Sequence, residues 1–157
     1  MTSDRFLEED LRVLTPEAFE FVLNNELKRA VRSQTFLTLL LVHPTPKPET
    51  QEADRAHAVR HVARLIGREV RETDLISHTG QGQLAVVLLD ADLHNSMQVV
   101  DRLLLRLKNY SFPTPLAIDV GAACCPTHGA DPETLRAAAA GRPVQRGGNR
   151  GNASNAQ

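Results

Sequence analysis

Residues 71–89 read RETDLISHTGQGQLAVVLL, and this stretch decides the architecture. Two short apolar segments, residues 74–78 and 83–89, flank a glycine-punctuated centre. Glycine reaches the backbone conformations that a tight reversal needs, so the stretch is predicted to be a β-hairpin. Its turn is spelled Gly80, Gln81, Gly82, Gln83, Leu84. Glycines and amides build such a turn well, but they place no carboxylate in it.

Upstream of the hairpin, Thr15-Pro16-Glu17 is a helix-start signal: a capping hydroxyl, proline at the first helical position and an acid in the first turn. Phe19, Leu23 and Leu27 then recur at helical spacing, with Val22 and Ala30 beside them, to an end near Ser33. Residues 35–43, TFLTLLLVH, form a continuous apolar run too short for a helix, which predicts a buried strand. Pro44, Pro46 and Pro48 follow, and proline is expected to bar both helix and central strand there. From about Glu52, Val59, Val62, Ala63, Ile66 and Val70 mark an amphipathic helix.

Downstream, Asp90-Ala91-Asp92 starts a helix whose apolar face holds Leu93, Met97, Val100, Leu104 and Leu107. Residues 116–123 read as a strand and 132–140 as a short, alanine-rich helix. The order α-β-α-β-β-α-β-α is that of an α+β domain with helices packed over a largely antiparallel sheet. Beyond Gly141, RPVQRGGNRGNASNAQ lacks apolar periodicity. Residues 1–140 are therefore expected to form the domain, and 141–157 a disordered tail.

At 157 residues and 41% apolar content the chain has enough material for one real core. A net charge of -1 gives no reason to expect a nucleic-acid partner. The start, MTSDRFLEED, lacks the apolar core of a secretory signal, and no run is long enough to span a bilayer. Adjacent Cys124 and Cys125 cannot make a disulfide framework, and strand alternation predicts one thiol inside and one outside. A reducing, cytoplasmic setting is expected, with no membrane partner.

Three segments in order resemble GGDEF (diguanylate cyclase) domains: LTPEAFEFVLNNELKRAVR, VARLIGREVRETDLISHTG and IDVGAACCPTHGAD. They extend from about Leu14 to Leu135. The resemblance implies a central, mostly antiparallel sheet of about five strands surrounded by helices, and a function in making or sensing cyclic di-GMP. It also implies which residues stand where the chemistry would be. In cyclases, an aspartate ending the first strand and acids in the hairpin turn hold two divalent cations. Here those positions fall on His43, Gly82 and Gln83, within a turn that also holds Gly80 and Gln81. Hard cations need oxyanion ligands, which an amide, a glycine and an imidazole do not supply. The segment after the first strand, HPTPKPETQEADRAH, lacks the family's guanine-reading Asn and Asp. The family's closing "ALYxAKxxGRN" is also missing beyond Leu135. The expectation is a catalytically inactive regulatory domain with no cofactor and no metal.

One further family feature is matched. Arg71 and Asp74 occupy an Arg-x-x-Asp that precedes the turn, and Arg102 matches an arginine on the following helix that completes an inhibitory nucleotide site. Guanidinium forks suit phosphates and guanine edges, and a carboxylate accepts from guanine N–H groups. The resemblance thus implies a cyclic di-GMP receptor acting through a protein partner. The alternative is a nucleotide-independent interaction scaffold, homodimeric or with another protein. In that reading Asp74 caps a turn and Arg102 lies on a solvated helix face.

His57 and His61, spaced i, i+4 with Asp54 a turn earlier, have metal-ligand spacing, but nothing else in the sequence fixes a further ligand. They are read as a solvated face. Arg142, Arg146 and Arg150, with no aromatic residue among them, are read as part of a flexible terminus rather than an RNA-binding segment.

Overall fold

A computed structural model of the chain describes residues 12–79, 82–112 and 115–146. Among these, four helices and five strands follow in the order α1 (Pro16–Ser33), β1 (Leu37–Pro46), α2 (Glu52–Glu69), β2 (Leu75–His78), β3 (Leu84–Leu89), α3 (Leu93–Asn109), β4 (Leu116–Cys125), α4 (Pro132–Ala140) and β5 (Pro143–Arg146). The strands form one sheet of order β2-β3-β1-β4-β5, antiparallel throughout. This is the α+β architecture expected from the sequence.

Helices cover both faces of the sheet. On one face, Val62 and Ile66 of α2 and Val100, Leu103 and Leu107 of α3 pack on Leu40, Val42, Val86, Ile118 and Val120. On the other, Phe19, Leu23 and Leu27 of α1 and Leu135 and Ala139 of α4 pack on Leu37, Leu39, Leu41, Val87 and Ala123. Double coverage explains why β1 is apolar without alternation. Each fully buried leucine there contributes roughly 1.5–3 kcal/mol over an exposed one.

The helix starts are set by side-chain caps. Thr15 Oγ1 accepts from the Ala18 N–H at 3.2 Å, Asp92 Oδ1 from Asn95 at 2.8 Å and Asp131 Oδ1 from Thr134 at 2.9 Å. Each satisfies a first-turn donor that the helix itself leaves without a partner.

Three expectations are corrected. First, Pro44 and Pro46 lie within β1, the central strand of the sheet. The ladder to β3 stops at Val42–Leu84, while the ladder to β4 runs on to Pro46–Leu116. Beyond Val42 only one side of β1 is paired, so prolines two apart leave their missing donors on the open side.

Second, both Cys124 and Cys125 are buried and both are free thiols, because helices and connections cover the two faces that alternation assigns to inside and outside. Burial, and then the neighbouring Cys124, push the Cys125 thiol above its ordinary pKa.

Third, the chain remains in the sheet past Gly141: Pro143–Arg146 pairs with β4. An edge strand starting with proline carries little apolar signal, and the end of α4 that leads into it packs closely over Gly121. A Cβ at Gly121 would stand 2.1 Å from the Ala139 carbonyl oxygen. The disorder expected for the remainder of the tail, residues 147–157 with Arg150, falls outside the described residues.

Candidate functional site: the hairpin and the cleft beside it

The β2–β3 hairpin forms as the sequence predicts, with Leu75 opposite Val87 and His78 opposite Leu84. Gly80 and Gln81 of the turn lie outside the described residues; Gly82 takes a positive φ of 79°. The outer edge of β2 is covered by Leu14, whose N–H donates to the Ile76 carbonyl at 2.8 Å and whose carbonyl accepts from Ser77 Oγ at 3.0 Å. A covered edge no longer offers an open ladder to other chains.

Asp74 ties the hairpin base together. Its side chain is buried, at 3% exposure. Oδ2 accepts from the Arg71 N–H at 2.9 Å, closing the turn from α2 into β2. Oδ1 accepts from the Leu89 N–H at 3.0 Å, at the far end of β3, and lies 3.5 Å from the Arg71 guanidinium. Arg71 also donates to the Leu89 carbonyl and keeps 60% of its side chain exposed. From the other side, Arg12 donates to the carbonyls of Glu72 and Asp74, both at 3.2 Å.

Arg71 and Asp74 are thus brought together, as the spacing suggests. Arg102 is engaged elsewhere: it donates to Glu69 at 3.4 Å, and Arg106 pairs with the same carboxylate.

At the other end of the hairpin, β1 runs past β3 and leaves a cleft of about 520 Å³. Its walls include His43 and Pro44 of β1, Arg55, Val59 and Arg60 of α2, and His78, Gly82 and Leu84 of the hairpin. His43 and Gly82, which sequence reasoning aligned from separate motifs, therefore share one cavity. Gln83 lies beside Leu84, the last partner of β1 on that side. Among the described residues of the lining, Glu52 is the one carboxylate.

Arg55 is held by main-chain oxygens. It donates to Thr50, Lys47 and Pro48 at 3.1, 3.1 and 2.8 Å, fastening the proline-rich connection onto α2. On the neighbouring strand Asp119 stands in register opposite His43. Sequence reasoning missed Arg55, Arg60, His78 and Asp119 at this end of the sheet. Strand register brings His78 and Asp119 there and the packing of α2 on the sheet brings Arg55 and Arg60, and no local motif marks them.

A second cluster lies between α2 and the end of α3. His57 and His61 face each other with Nε2 atoms 2.9 Å apart, and the Tyr110 hydroxyl lies 3.1 Å from His61 Nδ1. Partial burial, then His57 and Arg64, push the His61 pKa below its ordinary value. Among the described residues no three His, Cys, Asp or Glu side chains converge as a metal site, and no helix is long and apolar enough to cross a membrane.

A five-stranded antiparallel sheet with helices on both faces and a hairpin beside an end-of-strand cleft defines an α+β fold of the GGDEF type. The GGDEF domain of FimX from Pseudomonas aeruginosa superposes with a TM-score of 0.77 at 15% identity, over 87% of this chain and 90% of that one. A diguanylate cyclase protein from Thermotoga maritima superposes at 0.72 with 14% identity, over 85% and 98%. The GGDEF domain of DgcB from Caulobacter crescentus, in complex with c-di-GMP, does so at 0.70 with 12% identity, over 88% and 87%. No protein-family model matches the chain, and no curated protein matches it in sequence. At such low identity the likeness establishes the fold and nothing further.

Proposed function

We propose that this chain is a non-catalytic regulatory module built on the GGDEF-type fold, acting through a protein partner. The observation that carries this reading is the donor set at the end of β1 and the hairpin turn. By the sequence resemblance, His43, Gly82 and Gln83 correspond to the positions of the magnesium-holding carboxylates of cyclases, and His43 and Gly82 line one cleft. The surrounding wall adds Arg55, Arg60 and His78, with Glu52 as the one acid among its described residues. Phosphoryl transfer depends on metal positioning and charge neutralisation, and a described lining with a single carboxylate, Glu52, is too poor in oxyanions to cage two hard cations.

The test is incubation of the purified chain with GTP and magnesium, followed by chromatography of the nucleotides. Unchanged GTP is expected; accumulation of cyclic di-GMP overturns the proposal.

Cyclic di-GMP reception at Arg71, Asp74 and Arg102 is the second reading. It is favoured by the exposed Arg71 guanidinium and by relatives in fold, such as DgcB, that are seen with the ligand. Its difficulty is Asp74, whose two oxygens are already engaged by main-chain N–H groups. A ligand there would be gripped by arginines through its phosphates, without a carboxylate to read guanine. Isothermal titration with cyclic di-GMP separates the two readings. No heat leaves the partner-only module, whereas micromolar binding lost in Arg71→Ala makes the chain a receptor.

A further inference from the structure

We propose that His57 and His61, positioned by Tyr110, form a surface site for a borderline divalent transition-metal ion that prefers right-angled nitrogen ligands, such as Ni²⁺ or Cu²⁺. On α2 the two histidines are four residues apart and so lie on one helix face. Spacing alone would leave them as solvated neighbours. The structure turns the rings toward each other at an interplanar angle of 88°, with Nε2 facing Nε2 at 2.9 Å.

That separation has a geometric meaning. Imidazole–metal bonds are about 2.0–2.1 Å long, so two nitrogens 2.9 Å apart subtend about 90° at a shared ion. Right angles between neighbouring ligands belong to octahedral and square-planar ions. A tetrahedral zinc ion would need the nitrogens about 3.4 Å apart, so the rings would have to part by about half an ångström.

The third residue fixes the tautomer. Tyr110 reaches His61 Nδ1 from the C-terminal end of α3, 49 positions away in sequence. If Nδ1–H donates to the phenol oxygen, His61 Nε2 accepts the 2.9 Å hydrogen bond from His57 Nε2–H, and a metal ion takes the place of that proton once His57 carries its hydrogen on Nδ1. An outer hydrogen bond of this kind is what orients metal-bound imidazoles. Tyr110 is itself braced by Phe112, with ring centroids 4.6 Å apart. Arg64 is the charge that opposes a cation here, by raising the local potential. Two protein donors leave the remaining coordination positions to water, so the affinity expected is that of a two-histidine chelate rather than a structural metal cage.

The test is titration of the full chain with Ni²⁺, and separately with Zn²⁺, by calorimetry at neutral pH. One equivalent of Ni²⁺ should bind, at least tenfold more weakly in His57→Ala and in His61→Ala. Zn²⁺ should bind less tightly than Ni²⁺. Tyr110→Phe keeps the ring packing and removes only the hydroxyl; it should weaken binding about tenfold, which simple chelation by two helix histidines would not do. His94→Ala, on α3, is the control and should change nothing. Unaltered Ni²⁺ affinity in the His57 or His61 variant overturns the site, and unaltered affinity in Tyr110→Phe removes the positioning role of Tyr110. Loss in a His43→Ala variant instead would move the metal to the cleft and equally refute the proposal.

Discussion

Replacing Asp74 by alanine should damage the fold rather than a binding surface. The carboxylate accepts two main-chain N–H groups, from Arg71 at 2.9 Å and Leu89 at 3.0 Å, in a pocket where its side chain is 3% exposed. Hydrogen bonds to a charged acceptor contribute about 1.5–3 kcal/mol each, giving about 3–6 kcal/mol before offsets. The ion pair with Arg71 adds little, since that side chain is more than half exposed and screened by water. Freeing the site from a buried charge returns part of the loss, so the net cost is about 3 kcal/mol. For a domain of this size that corresponds to a fall of roughly 6–12 °C in Tm. Asp74→Asn keeps one acceptor oxygen and should lose about half as much. Urea denaturation followed by circular dichroism measures both, with an unchanged slope showing that stability alone has moved. A loss below about 0.5 kcal/mol in Asp74→Ala would refute the claim that this carboxylate holds the hairpin base.

Gly121→Ala should destabilise by about 3 kcal/mol or more, because its new methyl meets the Ala139 carbonyl at 2.1 Å and backbone must shift to admit it. Urea midpoints read the loss, and a variant as stable as the parent would show that α4 does not press on β4. His128 gives a pH dependence. Its Nδ1 accepts from the Cys124 N–H at 2.9 Å, which only the neutral ring can do, and partial burial and then Arg142 push its pKa down. A folded pKa below the unfolded one means that unfolding takes up a proton. The His128 contribution is therefore full above the ordinary histidine range and fades as pH falls through the lowered value. Melting temperatures recorded between about pH 8 and about pH 5 should decline less steeply in His128→Asn, whose amide oxygen accepts without titrating. Identical slopes would remove His128 as a source of that dependence.

The elements that were legible in sequence are those whose signal is local. Thr15-Pro16 and Asp131-Pro132 announce α1 and α4 because cap and first turn are contiguous. The hairpin is legible because two apolar runs flank glycines. What was not legible depends on neighbours far along the chain. Pro44 and Pro46 are permitted in β1 only because β3 ends at Leu84, and nothing near the prolines says so. The burial of both adjacent cysteines requires knowing that the sheet is covered twice. β5 lies at an edge, where pairing is supplied by main chain and the side chains need no pattern. The cleft shows the same division: His43 and Gly82 could be aligned from motifs, whereas His78 arrives there through register and Arg55 and Arg60 through the packing of α2.

The Arg-x-x-Asp pair shows why a retained motif is weak evidence for a retained ligand. The same two residues suit a nucleotide site and a turn-closing joint, and sequence spacing cannot separate the two uses. Three sets of contacts tie this pair to the joint. The Asp74 oxygens meet N–H groups on both sides of the hairpin base. Arg12 clasps the main-chain oxygens of Glu72 and Asp74 from the N-terminal side. Arg102, the arginine that would complete a nucleotide site, is turned to Glu69, which it shares with Arg106. A residue committed in this way is kept by the fold whether or not a ligand ever visits. The cleft obeys a similar logic, since Arg55 is spent on the carbonyls of the proline-rich connection and so holds the wall it lines. Charge that looks available in a list of residues is structural in place, and that turns the search for function from the nucleotide positions to the outer surface of the helices, where His57, His61 and Tyr110 meet.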